Sequence, residues 1–402
     1  VHDTFDPAHV LGADVVVRSS AYREDNPEVA AALAKGIPVW KRHDAWRFLA
    51  KGKRVIAVAG THGKTTTTAM TWTALQQAGV DASLICGAAL QHTRSNAHVG
   101  RGDVLVIEAD EYDRVFHALE PTVAVVTNVD HDHVDLFPTR EDYMEAFRVF
   151  VAGLPRGGTL VACADDPGAA ALAGEARRRL AGRRVVSYGF RDDADVRART
   201  IDTSERGLAI SHGTVHVGIG LNVPGRHNAL NALGAVAACV ALGVDLRRAA
   251  PGLLGFMGTD RRLEELGSAG GVTVVDDYAH HPAEIVASIE ATRWRGGRIV
   301  ALFQPHTPSR LAAFFDEFAA ALRQADEAVV AETFSSVREA SAEGAKALAE
   351  AAGAAYARDA EEAARMLADR VRPGDTVLVL GAGDIRPAGE RLLELLRAKV
   401  RA

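Results

Sequence analysis

At 402 residues the chain is too long for one typical hydrophobic core and calls for two or three domains. Apolar residues make up 48% and charged residues 24%, as in a soluble globular protein, and the formal net charge of −6 argues against nucleic acid as the main partner. No apolar run reaches membrane-spanning length, and the three cysteines (Cys86, Cys163, Cys239) are odd in number and far apart, so they read as core residues in a reducing, cytoplasmic setting.

The chain opens at Val1 in the middle of a pattern. ADVVVRSS reads as a strand and loop, NPEVAAALAKG as a helix with Pro27 in its first turn and Gly36 at its end, and IPVW as a second strand. This β-α-β piece is expected to be the remainder of a domain whose earlier part is missing. Next comes VIAVAGTHGKTTTTAM, residues 55–70. A phosphate loop of the G-x-x-x-x-G-K-[ST] type would need its first Gly at position 58, but that residue is Val, and Gly60 makes the loop two residues shorter. The β-branched run before it and the Gly- and Pro-free segment Thr65–Gln77 after it still predict strand, loop and helix. The helix N-terminus would turn N–H groups and partial positive charge toward a phosphate. Lys64 adds a full charge, and the Thr65 hydroxyl could ligate Mg²⁺. A glycine turn with a solvated lysine is the disfavoured alternative.

From Arg54 to Gly243 strands and helices alternate, with strands expected at Val55–Ala59, Asp103–Glu108, Val123–Asn128, Thr159–Cys163 and Arg184–Tyr188. That implies a mostly parallel sheet covered on both faces. The turn-rich segment Asp195–Val223 predicts a small antiparallel patch, and GRHNALNALGAVAACVALG a helix. A further series (Thr273–Val275, Ile299–Phe303, Ala328–Ala331, Val377–Leu380) predicts another α/β domain, so the expected division is 1–52, 53–258 and 259–402. GAGD at Gly381 follows the last strand and lacks a third Gly, so it reads as a turn and not a dinucleotide fingerprint.

Acidic and histidine clusters fall at the carboxyl ends of predicted strands, where open α/β sheets bind ligands. VLVIEADEYD delivers Glu108 from an apolar strand, as a Mg²⁺ ion bridging phosphates requires, whereas Glu111 and Asp113 read as a solvated loop. TNVDHDHVDLF packs two histidines and three aspartates together, and its spacing leaves metal binding and hydrogen bonding equally open. DDYAHHPAE and FQPHTPSR would line one sheet edge with His280, His281, His306 and Arg310, the last suited to clamping a carboxylate or phosphate. The combination suits a ligase that activates a carboxylate with ATP held across a cleft.

In this order, AGTHGKTTTTAM, EADEYDRVF, TNVDHDHVD, PGRHNALNA, DRRLEELG, DDYAHHPAE, FQPHTPSR and LGAGDI resemble the motifs of the Mur ligases, the ATP-dependent enzymes that build the peptidoglycan stem peptide, over nearly the whole chain. The resemblance implies a three-domain α/β architecture: a partial N-terminal Rossmann-like domain, a central P-loop ATPase-type parallel sheet and a C-terminal Rossmann-like domain. It implies that Gly60, Thr61, His62, Gly63, Lys64, Thr65 and Thr66 cradle ATP phosphates, with Thr65 and Glu108 on a first Mg²⁺ and His133 on a second, Mn²⁺ being a possible substitute. By the same match His227, Asn228 and Asn231 meet adenine, Arg262 and Asp277 meet phosphate and ribose, and His280, His306 and Arg310 receive L-alanine, Arg310 on its carboxylate. Several Mur ligases bridge their metals with a carbamoylated lysine, but no lysine occurs here between Lys64 and Lys346. That points to the alanine-adding branch: an amide bond between the lactyl carboxylate of UDP-N-acetylmuramate and L-alanine, formed through an acyl phosphate by a cytoplasmic monomer or weak dimer with no membrane or nucleic-acid partner. The alternatives are a recycling ligase that adds a preformed tripeptide to the same sugar, and a nucleotide-binding regulatory protein without ligase activity. Thr307 replaces a basic residue usual in the family, and the family's N-terminal Gly-rich UDP loop is absent from the sequence.

Overall fold

The computed structural model describes residues 4–19, 22–201, 206–334 and 344–401, arranged around three sheets. Strands β1 (Val16–Arg18) and β2 (Val39–Lys41) pair in parallel around the helix Pro27–Ala34, which Asn26 caps with its side chain. This is the β-α-β piece expected from the sequence.

The central sheet comprises β3 (Arg54–Ala59), β4 (Ser83–Leu90), β5 (Ser95–His98), β6 (Val104–Glu108), β7 (Val123–Val126), β8 (Thr159–Cys163), β9 (Arg184–Gly189), β10 (Val196–Thr200), β11 (Gly207–His212) and β12 (Val215–Gly220). Their order is β12-β11-β10-β9-β8-β7-β3-β6-β4-β5. From β10 to β4 all pairings are parallel, while β10–β11–β12 and β4–β5 are antiparallel. Strands β3, β6, β7 and β8 are apolar and buried almost throughout, as helices on both faces demand. The chain leaves β3 toward β4 on one side and leaves β7 toward β8 on the other. The crevice between their carboxyl ends is therefore a topological switch point.

The helix Lys64–Gln77 follows β3 and packs against the helix Arg226–Ala241. Four consecutive threonines are poor helix formers, yet Thr65 to Thr68 are all buried here. Tertiary packing overrides propensity: the small side chains of the second helix allow close approach, and Thr71 and Thr73 return their hydroxyls to the carbonyls of Thr67 and Ala69. An aromatic cluster of Phe116, Phe137, Tyr143, Phe147 and Phe150 fills the space beneath the helix Arg140–Ala152.

The third sheet comprises β13 (Glu264–Ala269), β14 (Val272–Asp277), β15 (Ile299–Phe303), β16 (Glu327–Ala331), β17 (Ala355–Ala357) and β18 (Thr376–Leu380), ordered β13-β14-β18-β15-β16-β17 and parallel except at β13. Apolar clusters cover both of its faces. GAGD forms the turn after β18, where the Gly381 and Gly383 carbonyls accept hydrogen bonds from Arg261. Strands β4, β5, β13 and β17 are additions to the strands expected from the sequence. The three cysteines are buried and free, and no helix among the described residues is long and apolar enough to cross a membrane.

One side chain ties two elements of the central sheet together. Asp166 Oδ1 accepts from Ala169 N at 2.7 Å, capping the helix Pro167–Arg179, and from Val129 N at 3.0 Å beyond β7. Asp166→Ala is expected to cost about 1–3 kcal/mol. The check is a urea titration in which the midpoint falls while the m-value stays unchanged.

Candidate active site

The short loop is built by close packing. Gly60 (φ 134°) and Gly63 (φ 78°) lie in backbone conformations that side-chain-bearing residues avoid, and a Cβ at either would collide, with Thr127 Oγ1 or Asn231 Oδ1 respectively. The segment after β7 braces it. Thr61 Oγ1 donates to Asp130 O (2.7 Å), Asn128 Oδ1 accepts from His62 N (2.8 Å), and Thr127 Oγ1 donates to His62 O (2.6 Å). The N–H groups of the first helical turn, which have no intrahelical partner, face the switch-point crevice.

Lys64 Nζ donates to the carbonyls of Gly60 (2.6 Å) and Thr61 (2.9 Å) and lies 2.9 Å from both carboxylate oxygens of Glu111. Glu111 is 0% exposed, which corrects the expectation that it sits in a solvated loop; Asp113, two residues on, is exposed as expected. Tyr143 Oη also donates to Glu111 (3.2 Å), and His133 Nε2 lies 3.5 Å from it. Burial pushes the Glu111 carboxyl up, but Lys64 and His133 outweigh it and hold the group down to about 2. Burial likewise opposes the charge on Lys64, and the carboxylates of Glu111, Asp110 and Glu108 reverse that and raise its pKa. Glu108 accepts from Thr65 Oγ1 (3.1 Å) and Gly87 N (2.7 Å); burial raises its pKa against the pull of Lys64. Thr65 with Glu108, and Glu111 with His133, thus form two neighbouring donor groups dominated by oxygen, the kind a hard divalent cation takes.

Beside the loop opens a cavity of about 800 Å³, within the range of small-molecule sites. His62, Gly63 and Thr66 line it from the loop, His227, Asn228 and Asn231 from one helix, and Arg262 and Asp277 from the third sheet. Asn231 accepts from Thr67 Oγ1 (3.1 Å) and donates to Asn228 Oδ1 (3.3 Å), which locks both amides. Burial, with Arg262 nearby, pushes His227 down to about 4, and burial raises Asp277 to about 6 despite Arg262. Arg262 lies over the Tyr278 ring, 5.2 Å from its centroid.

His280, His306 and Arg310 form a second gathering. The His280 and His306 centroids are 5.9 Å apart, and His306 stacks on Phe334. His280 Nδ1 lies 2.9 Å from Tyr278 O and 3.2 Å from Glu284; burial pushes the ring down to about 3. Arg310 is not waiting for a ligand: Nε and Nη2 donate to the two oxygens of Asp132 at 2.9 and 3.1 Å, and both side chains are buried. Thr307 caps the helix Pro308–Ala313, so its departure from a basic residue has a local structural role. Glu284 reaches His62 across the cleft (3.2 Å) and lies beside His280 and Arg262 of its own unit (3.2 and 3.6 Å). The sequence reading missed Glu111, Asp132, Tyr143 and Glu284. Only Glu284 carried a local signal, four residues after His280 on a helix start.

A short phosphate loop at a switch point, closed over by a second parallel α/β unit, defines a nucleotide-binding α/β protein with a carboxylate-rich centre. A model of the Mur ligase middle domain matches residues 58–239, one of the Mur ligase, glutamate ligase domain matches residues 261–383, and the chain belongs to the Mur ligase family. It is similar to the UDP-N-acetylmuramate–L-alanine ligase of Kineococcus radiotolerans (45% identity over 403 residues, 97% of this chain and 85% of the relative). The enzyme of the same name from a Nocardioides species is 44% identical over 98% of this chain and 86% of its own length. The crystal structure of UDP-N-acetylmuramate–alanine ligase from Thermotoga maritima superposes with a TM-score of 0.80 at 27% identity, covering 100% of this chain and 88% of that one. A murein peptide ligase from Psychrobacter arcticus shares the fold (TM-score 0.73, 23% identity, 98% and 88% covered).

Glu111→Gln leaves Lys64 buried without its counter-charge, which is expected to cost about 3–5 kcal/mol at neutral pH. A carboxyl held near 2 contributes stability that is fully present above the ordinary glutamate pKa of about 4.3 and is lost as pH falls through 2. The gap between wild type and E111Q, measured by denaturation from pH 6 downward, should therefore narrow below about pH 4.

Proposed function

We propose that the protein is an ATP-dependent ligase that joins the lactyl carboxylate of UDP-N-acetylmuramate to L-alanine through an acyl phosphate. The observation that carries this reading is Lys64. Its ammonium is fixed at the mouth of the phosphate loop by Glu111, which His133 also approaches, and the Thr65–Glu108 pair adjoins the same loop. The match along almost the full length to alanine-adding relatives supports the choice of amino acid.

In this mechanism the cavity holds the nucleoside, with Asn228 and Asn231 at adenine and Arg262 and Asp277 at phosphate and ribose. The loop N–H groups and Lys64 align the γ-phosphate for in-line attack by the lactyl carboxylate, and ADP leaves. Thr65 and Glu108 on one side and Glu111 and His133 on the other would hold Mg²⁺, which when bound neutralises charge on the transferred phosphoryl group. The L-alanine amine then attacks the acyl carbon and phosphate departs. His280 presents Nε2 to the amine because its Nδ1 faces the Tyr278 carbonyl, and since burial holds the ring down to about 3 it orients the amine and does not store its proton. Closure of the third sheet over the loop excludes water from the acyl phosphate.

Phosphate release from ATP is expected to require both UDP-N-acetylmuramate and L-alanine, with the amide product detected by mass. Lys64→Ala should abolish it nearly completely, whereas near-normal turnover in that variant would remove the assignment. Release driven by a stem tripeptide in place of L-alanine would move the chain to the recycling ligases.

A further inference from the structure

One group of ligating side chains shares no residue with the oxygen-rich centre. His62 of the phosphate loop, Asp130 beyond β7 and His281 at the start of the helix Pro282–Thr292 each offer one ligand atom, and these atoms all lie within 4.8 Å of one another. The two rings sit 4.7 Å apart, His281 is only 4% exposed, and Nε2 of both is buried with no hydrogen-bond partner among the described residues. Buried polar atoms without a partner are rare in native proteins, and a bound ion is one of the things that satisfies them.

The surroundings prepare these nitrogens for a cation. Glu284 Oε1 lies 3.2 Å from His62 Nδ1, which keeps the proton there and leaves the Nε2 lone pair toward Asp130, whose Oδ2 is 4.0 Å away. A carboxylate behind the ring is how proteins orient metal-ligating histidines. His281 Nδ1 receives only a long 3.4 Å contact from Ala283 N, so little is lost when its proton moves to Nδ1 and frees Nε2. Burial, with His62 beside it, pushes His281 down to about 4 and keeps the ring in the neutral form that binds metal. Ligand atoms around a tetrahedral Zn²⁺ stand about 3.3 Å apart at bond lengths of about 2.0–2.1 Å, so modest side-chain rotations close the set. His62 and Asp130 also face the cavity, which leaves room for a water or a phosphate oxygen as a further ligand.

We propose that His62, Asp130 and His281 form a binding site for a divalent transition metal of the Zn²⁺ class, separate from the Mg²⁺ donors, and that the ion staples the central sheet to the C-terminal unit. Two imidazoles and one carboxylate favour Zn²⁺ or Co²⁺ over Mg²⁺. The site does not depend on which amino acid the protein adds, so it is tested without substrates. The metal-free full chain is titrated with Co²⁺ while its visible d–d absorption is followed, and its thermal unfolding is recorded with Zn²⁺ in the presence of excess Mg²⁺. The wild type should develop the band of a nitrogen- and oxygen-ligated Co²⁺ and unfold at higher temperature with Zn²⁺. His281→Ala should bind Co²⁺ at least about 10- to 100-fold more weakly, the loss that even an outer-shell change brings. Asp130→Ala, on a part-exposed side chain, should weaken binding likewise and covers the case in which His281→Ala fails to fold. His133→Ala should retain the band. No band in the wild type, undiminished binding in Asp130→Ala, or loss of the band in His133→Ala would each overturn the proposal.

Discussion

A lysine ammonium removed from water demands a counter-charge, and the burial of Lys64 organises the centre of this protein. Glu111 supplies that charge while completely buried itself, a placement possible only because the reverse is also true. Fixing Glu111 requires the turn after β6 to double back, and Asp113 and Arg114 take positive φ (57° and 53°) to achieve it. Tyr143 closes the arrangement from the helix Arg140–Ala152, reaching Glu111 and also Thr61 of the loop (3.0 Å). The shortness of the loop follows from the same economy of space: with Thr127 and Asn231 pressed against Gly60 and Gly63, a longer excursion would have nowhere to lie.

Charged pairs cross the cleft between the two large units. Glu284 reaches His62 from one side, and Arg310 reaches Asp132 from the other. Both acids are strongly ionised against the opposition of burial, Glu284 chiefly through His280 and His62, Asp132 chiefly through Arg310. Such pairs are stable while closed and lose little once water returns to both partners, which is the behaviour expected of surfaces that part and rejoin.

How much of this was legible in the sequence depends on the range of the interaction. The phosphate loop, the apolar strands ending at Glu108 and near Asn128, and the helix holding Asn228 and Asn231 announce themselves through local pattern, and the structure brings them to one crevice. Glu111 did not, because three residues past an apolar strand end the local pattern reads as solvent, and only the distant Lys64 makes it a core residue. The pairing of Asp132 with Arg310 has no local signal at all, being a contact between two sheets. The hairpin joining β13 and β14 was a different kind of miss. Gly270 and Gly271 both take positive φ (59° and 75°), and a Gly-Gly pair between two strand-like runs is a recognisable two-residue turn.

The Arg310–Asp132 pair also sets a competition. Asp132 is a carboxylate tethered beside the guanidinium, and a tethered group acts as though present at about millimolar concentration or above. A free carboxylate that uses Arg310 must displace Asp132, so its apparent affinity is lowered by the fraction of molecules in which the internal pair is open. The same displacement removes a bond across the cleft. Occupancy of the guanidinium by an outside ligand and separation of the two units are thus thermodynamically linked, and a ligand that supplies its own bridge takes over the role that Asp132 plays in its absence.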